Sequence, residues 1–210
     1  MTDRLVVIAG ASSASGRAVA ARLTDAGARV IAVGSNLGRL AAVDALARYE
    51  CDLADPAAVD NLAATIRAEH GGVDGLVHLV GGWRAGRGDE DWAWLRERVV
   101  ETFRNTSRSF FDDLVASAAG RLVIVSSTSV NKPTWGNANY SAAKSAAEAW
   151  ARSAASGFVN GGTAASVIFV VRSLGDEEGA TPHDVLAARV ATLWDSSAAD
   201  LNGARVSLVP

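Results

Sequence analysis

Tyr140 and Lys144 stand four residues apart. A helix turns about 400° over that interval, so both side chains leave nearly one face. An ammonium about 5 Å from a phenol, at an effective dielectric near 20, favours the phenolate by roughly 3 kcal/mol, or about two pKa units. That shift would bring the phenol towards proton exchange near neutrality, as general acid–base chemistry requires. Ser127 lies thirteen positions before Tyr140. A serine ending a strand and a tyrosine opening a helix converge at the carboxyl edge of a parallel sheet, where open α/β folds bind ligands. A second feature is the small-residue run Gly10-Ala11-Ser12-Ser13-Ala14-Ser15-Gly16. Between a strand and a helix, such a turn lets backbone N–H groups approach a pyrophosphate, and the helix N-terminus adds partial positive charge.

The elements that must position these groups read as an alternation. Apolar runs of strand length fall at residues 5–9, 29–33, 75–80, 122–125, 165–171 and 204–208, with a short segment at 51–53. Between them lie helical stretches at 16–23, stopped by Gly27, and at 37–48. Another begins at the cap Asp55 with Pro56 in its first turn and runs to 70. Further helices are expected at 89–118 (broken once), at 140–156, and from a Thr181 cap to 194. Continuous apolar strands separated by helices predict a parallel sheet covered on both faces. No repeat or composition break divides the chain, so residues 1–210 read as one domain.

Four segments together resemble the short-chain dehydrogenase/reductase family, over nearly the whole chain. They are Gly10…Gly16, Cys51-Asp52-Leu53, Gly120-Arg121-Leu122-Val123-Ile124-Val125-Ser126-Ser127, and Tyr140…Lys144. The resemblance implies an α/β fold with a Rossmann-like doubly wound sheet of about seven strands and helices on both faces. It also implies hydride transfer between a nicotinamide and a carbonyl or alcohol carbon. Ser127 would orient the carbonyl, Tyr140 would give the proton, and Lys144 would hold the ribose and lower the tyrosine pKa. Asp52 would bond the adenine, beside Leu53. Gly10, Ser12, Ser13, Ser15, Gly16 and Gly81 would line the dinucleotide.

The chain also departs from the family pattern. Ala14 replaces the middle glycine of the phosphate loop. His78-Leu79-Val80-Gly81 stands where the family has Asn-Asn-Ala-Gly; on its own residues, His78 reads first as a core histidine. Arg98 or Val99 occupies the place of the family's catalytic asparagine, with Asn105 two turns further on. The segment Val170-Val171-Arg172-Ser173-Leu174 lacks the usual proline-glycine. A shortened lid over the substrate follows.

The second strand ends in Gly34-Ser35-Asn36 with no carboxylate to meet an NAD ribose. Ser35, Asn36 and Arg39 suit a phosphate, so NADP(H) is preferred over NAD(H). Trp83, Ser129 and Trp135 fall in loops expected at the substrate mouth, where a small carbonyl or alcohol compound would bind. The family resemblance implies a homodimer or homotetramer built on the helices near 99–118 and 140–156.

Composition excludes other classes. Twenty basic against 23 acidic side chains give −3, so no basic field exists to hold nucleic acid. One cysteine, Cys51, and three scattered histidines make neither a disulfide nor a metal pattern. No apolar run approaches the ~20 residues of a membrane span, and the N-terminus reads as cytoplasmic rather than as a signal peptide. Two other readings share the scaffold: a nucleotide- or metabolite-binding protein without turnover, and a dehydratase or isomerase using the same tyrosine.

Overall fold

The central strands are apolar along their whole length because helices cover both faces of the sheet. In the computed structural model, which describes residues 1–210, β1 (Leu5–Ala9) is buried at every position. The chain continues through α1 (Ala14–Asp25), β2 (Arg29–Gly34), α2 (Leu37–Leu40), β3 (Ala47–Glu50), α3 (Pro56–His70) and β4 (Gly75–His78). Then come α4 (Asp89–Leu95), a π-helical stretch (Arg96–Glu101), α5 (Thr102–Ala116), β5 (Arg121–Ser127), α6 (Ala138–Phe158) and β6 (Ala165–Val171). The last elements are α7 (His183–Ala191), α8 (Ala198–Leu201) and β7 (Arg205–Ser207).

All pairings are parallel, and the order is β3-β2-β1-β4-β5-β6-β7. This is the doubly wound α/β sheet that the sequence predicts. The order reverses between β1 and β4, and a crevice opens at their carboxyl ends. One core holds Leu76, Phe103, Phe110 and Phe158 beneath α3, α5 and α6; the other holds Leu23, Phe169 and Val190 beneath α1 and α7. No helix is long and apolar enough to cross a membrane.

Four local expectations need correction. The helix predicted over 37–48 stops at Leu40, and the third strand is Ala47–Glu50, not residues 51–53. Pairing of Ile31–Gly34 with Ala47–Glu50 outweighs the helical tendency of the alanines, and Arg48 Nε bonds the Leu40 and Val43 carbonyls where α2 ends. Thr181 does not cap α7: its hydroxyl donates to the Leu208 carbonyl at 2.8 Å, and the helix starts after Pro182 with no side-chain cap. The stretch 89–118 is α4, a π-helical stretch and α5 in succession. The single turn α8 was not anticipated; Ser197 caps it, accepting from the Asp200 N–H.

Candidate active site

The phosphate loop is built by two glycines and a serine. Gly10 takes a left-handed φ of 83°, and a Cβ there would stand 3.0 Å from the Leu79–Val80 backbone. A Cβ on Gly16 would stand 2.5 Å from the Gly10 and Ala11 carbonyl oxygens, so both positions require glycine. The Ser13 hydroxyl donates to the Gly10 carbonyl at 2.9 Å and accepts from the Gly16 N–H at 3.0 Å, capping α1. Arg17 Nη1 donates to the Ser12 carbonyl at 2.6 Å and clamps the loop from outside. Ala14 opens α1, and neither its N–H nor that of Ser15 has a backbone acceptor. Ser15 Oγ lies 2.9 Å from His183 Nδ1 at the start of α7.

A hollow of about 260 Å³ beside this loop is lined by Gly10, Ser12, Ser35, Arg39, Asp52 and Leu53, among others. Arg39 Nη2 donates to Ser35 Oγ at 3.1 Å. Asn36 is not in the lining; its side chain accepts from the Arg39 N–H at 2.9 Å and caps α2. Glu50, which sequence reasoning overlooked because it misplaced β3, accepts from the Leu37 N–H at 2.8 Å. Asn105, buried on α5, donates to the carbonyls of Leu53 and Ala54, both at 3.1 Å, and so fixes the strip behind Asp52. Arg98 is exposed and lines the hollow, with its guanidinium 4.9 Å from the Trp94 ring centroid; Val99 is buried.

A larger cavity of about 790 Å³ adjoins this hollow, sharing Ser13, Leu79, Val80 and Gly81 with it, so the two form ends of one crevice. Ser127, Tyr140 and Lys144 all line the larger end. Ser127, at the end of β5, accepts from the Ser129 N–H at 3.2 Å, and its hydroxyl bears on the Tyr140 phenol beside it. Lys144 Nζ donates to the Val125 carbonyl at 2.8 Å and lies 5.9 Å from the Tyr140 ring centroid. A Cβ on Gly81 would sit 3.7 Å from that Nζ, which places Gly81 beside the ammonium. Burial pulls the lysine pKa down to about 8, opposed by Glu148.

The expected depression of the tyrosine pKa does not appear. Burial pushes the Tyr140 phenol above its ordinary value, and the Ser127 hydroxyl only partly offsets this. His78 is buried between β4 and α5, with Nε2 3.2 Å from Thr102 Oγ1 and Nδ1 3.1 Å from Thr106 Oγ1. Burial holds its pKa at about 3, so it is a neutral, hydrogen-bonded core side chain.

Trp83 is 63% exposed and lines the larger cavity with Ser129, whose hydroxyl is buried and has no protein partner. Trp135 is 74% exposed and outside the lining; Arg87 lies over its ring at 5.0 Å. The loops carrying these residues are tied together, Gly86 N–H to the Gly136 carbonyl at 3.1 Å and Asn139 Nδ2 to the Gly88 carbonyl at 3.0 Å. Beyond β6, residues 173–181 close on themselves, Thr181 N–H donating to Ser173 and Gly175 N–H to Thr181.

The crevice fits a dinucleotide: free first-turn amides of α1 at its middle, Ser35, Arg39 and Asp52 at one end, and Tyr140 with Lys144 at the other. The short chain dehydrogenase family matches residues 4–169. The chain belongs to that family. It is 28% identical over 193 residues to 3-oxoacyl-[acyl-carrier-protein] reductase of Escherichia coli, covering 84% of this chain and 79% of the relative. It is 32% identical over 157 residues to 2,3-dihydro-2,3-dihydroxybenzoate dehydrogenase of Bacillus subtilis, covering 69% and 60%. A short-chain type dehydrogenase/reductase structure from Mycobacterium ulcerans superposes with a TM-score of 0.87 at 20% identity, over 99% of this chain and 88% of the other. Family membership supports nicotinamide-dependent oxidoreduction as the general activity.

Proposed function

We propose that this short-chain dehydrogenase family member transfers a hydride between a nicotinamide, NADP(H) in preference to NAD(H), and a carbonyl or alcohol substrate. The observation that carries this reading is Ser127, Tyr140 and Lys144 lining one cavity continuous with the phosphate loop. When bound, the nicotinamide supplies or accepts the hydride. Ser127 donates to the substrate oxygen and orients it. Tyr140 stays protonated at neutral pH because burial raises its pKa, which is the form that donates a proton as the carbonyl is reduced. Lys144 holds the ribose hydroxyls with its ammonium. Asp52 and Leu53 line the adenosine end, where Ser35 and Arg39 support the choice of a 2′-phosphate. Glu50 is turned to the Leu37 N–H and away from that hollow. Trp83 and Ser129 border the substrate.

The hollow over α5 and α6, with Phe111 and Trp150 in its lining, supports a homo-oligomer. One observation favours a second reading, binding without turnover: Ala14 carries a methyl where the family's loop has glycine. Fluorescence titration with NADPH and NADH, followed by turnover of a carbonyl panel, separates the two. Tyr140→Phe keeps nucleotide affinity and lowers kcat by about 100-fold or more under the oxidoreductase reading. A protein that binds nucleotide and oxidises none against the panel supports the second.

A further inference from the structure

Both lysines of the chain, Lys132 and Lys144, line the larger cavity, and so does Arg172. None of the 23 acidic residues does, although the chain as a whole carries −3. Lys144 is committed to the Val125 carbonyl. Lys132 and Arg172 take part in none of the ion pairs in the structure. The acidic run Asp176-Glu177-Glu178 lies close by in sequence, yet none of the three reaches the lining, and Glu177 packs back towards Gly175.

The two free cations sit at the substrate end. Val171 pairs with Ser127 across β5 and β6, so Arg172 is the first residue past that pair. Lys132 follows the turn after β5, its N–H bonded to the Thr128 carbonyl at 3.3 Å. In the same lining Ser129 offers a buried hydroxyl with no protein partner, and an unpaired buried donor costs free energy until a ligand satisfies it. Trp83 supplies an apolar surface in the same lining.

We infer that the substrate is a carbonyl or alcohol compound bearing a carboxylate or a phosphate, held by Lys132 and Arg172 while its uncharged body lies against Trp83. The inference rests on the oxidoreductase reading and names the substrate class of that same site. Lys132 and Arg172 are exposed at the cavity, and with no carboxylate in its lining they leave a positive potential where the anion docks. Lys132 and Arg172 bind the substrate and take no part in the proton transfer.

The test compares matched ketones under saturating NADPH: cyclohexanone with 4-oxocyclohexanecarboxylate, and dihydroxyacetone with its phosphate. The wild type should favour the charged member of at least one pair by tenfold or more in kcat/KM, through KM. The pair showing the larger preference identifies carboxylate or phosphate. In Lys132→Gln, Arg172→Gln and the double variant this charged-to-neutral ratio should fall, furthest in the double, and added salt should erode it in the wild type. Turnover with a ratio near one, or a ratio unchanged in the double variant, overturns the inference and leaves the oxidoreductase reading standing. Tryptophan quenching by the charged ketones provides an arm independent of turnover. Quenching that depends on both cations but comes without turnover supports the anion site and sinks the oxidoreductase reading. Neither turnover nor quenching overturns both.

Discussion

Ser126 Oγ donates to Glu148 Oε1 at 2.6 Å, one residue before Ser127 on β5 and one helical turn after Lys144 on α6. This bond fastens the strand carrying Ser127 to the helix carrying Tyr140 and Lys144. The same carboxylate, 1% exposed, accepts Arg205 Nε from β7 at 3.1 and 3.0 Å and Arg152 Nη1 at 3.0 Å. One buried anion thus ties the sheet edge, the helix and the reacting strand together.

Glu148 makes stability depend on acid. Burial pushes its pKa up, but hydrogen bonds from Arg205 and Ser126 outweigh that and hold it below the ordinary value. The folded state therefore prefers the carboxylate. Its contribution is complete above the unfolded glutamate pKa of ~4.3 and is lost as pH falls through the depressed folded value. Glu148→Gln should lower stability at pH 7 by about 1–2 kcal/mol, since it removes the charge that the partly exposed Arg205 and Arg152 bond to. The gap between variant and wild type should narrow in denaturant melts run at progressively lower pH. A gap unchanged with pH would remove the carboxylate from this role.

Lys144 sets an alkaline limit on activity. Its pKa is pulled down to about 8 by burial, so the ammonium that grips the ribose is present at neutral pH and disappears as pH rises through 8. Carbonyl reduction should fall along a limb centred there, with KM for the nucleotide rising. Lys144→Arg keeps its charge throughout, so any activity it retains should lack that limb. A wild-type profile level to pH 9.5 would contradict the assignment.

Arg39 decides between nucleotides if the 2′-phosphate docks beside Ser35. Arg39→Ala should weaken NADPH by about tenfold, the scale of one charge-assisted contact, and NADH by less than twofold. Equal losses for both nucleotides, measured by titration, would refute the NADP preference.

His183 should orient the Ser15 hydroxyl. For that hydroxyl to donate to a phosphate oxygen, it must accept from His183 Nδ1–H across the 2.9 Å contact. Ser15→Ala and His183→Ala should each weaken dinucleotide binding three- to tenfold, and the double variant should be no worse than either single one. Additive losses would show that the two residues act separately.

The parallel sheet and the crevice at its carboxyl edge were legible because buried parallel strands leave unbroken apolar runs in the sequence; the doubly wound topology came only from the family resemblance. Gly10, Ser127, Tyr140 and Lys144 could be found by type and spacing for the same reason: each stands where a strand meets a turn or a helix begins. What escaped was tertiary in origin. Ala47–Glu50 looks helical until β2 offers it a partner, and with β3 misplaced Glu50 was hidden as well. Thr181 carries the residue type of a cap, but the Leu208 carbonyl takes its hydroxyl. The Tyr140 pKa rises because burial, which spacing does not encode, exceeds the pull of its neighbours. Asn105 was weighed only as a misplaced catalytic asparagine; its bonds to Leu53 and Ala54 depend on the approach of α5 to a loop some fifty residues away.

Both side-chain amines of the chain, the exposed Lys132 and the partly buried Lys144, border one cavity. An acylating reagent added to the intact protein therefore has two lysines to find, both facing the same ligand space, besides the amino terminus. Its rate of incorporation becomes an occupancy gauge, slowed by whatever lies over Tyr140.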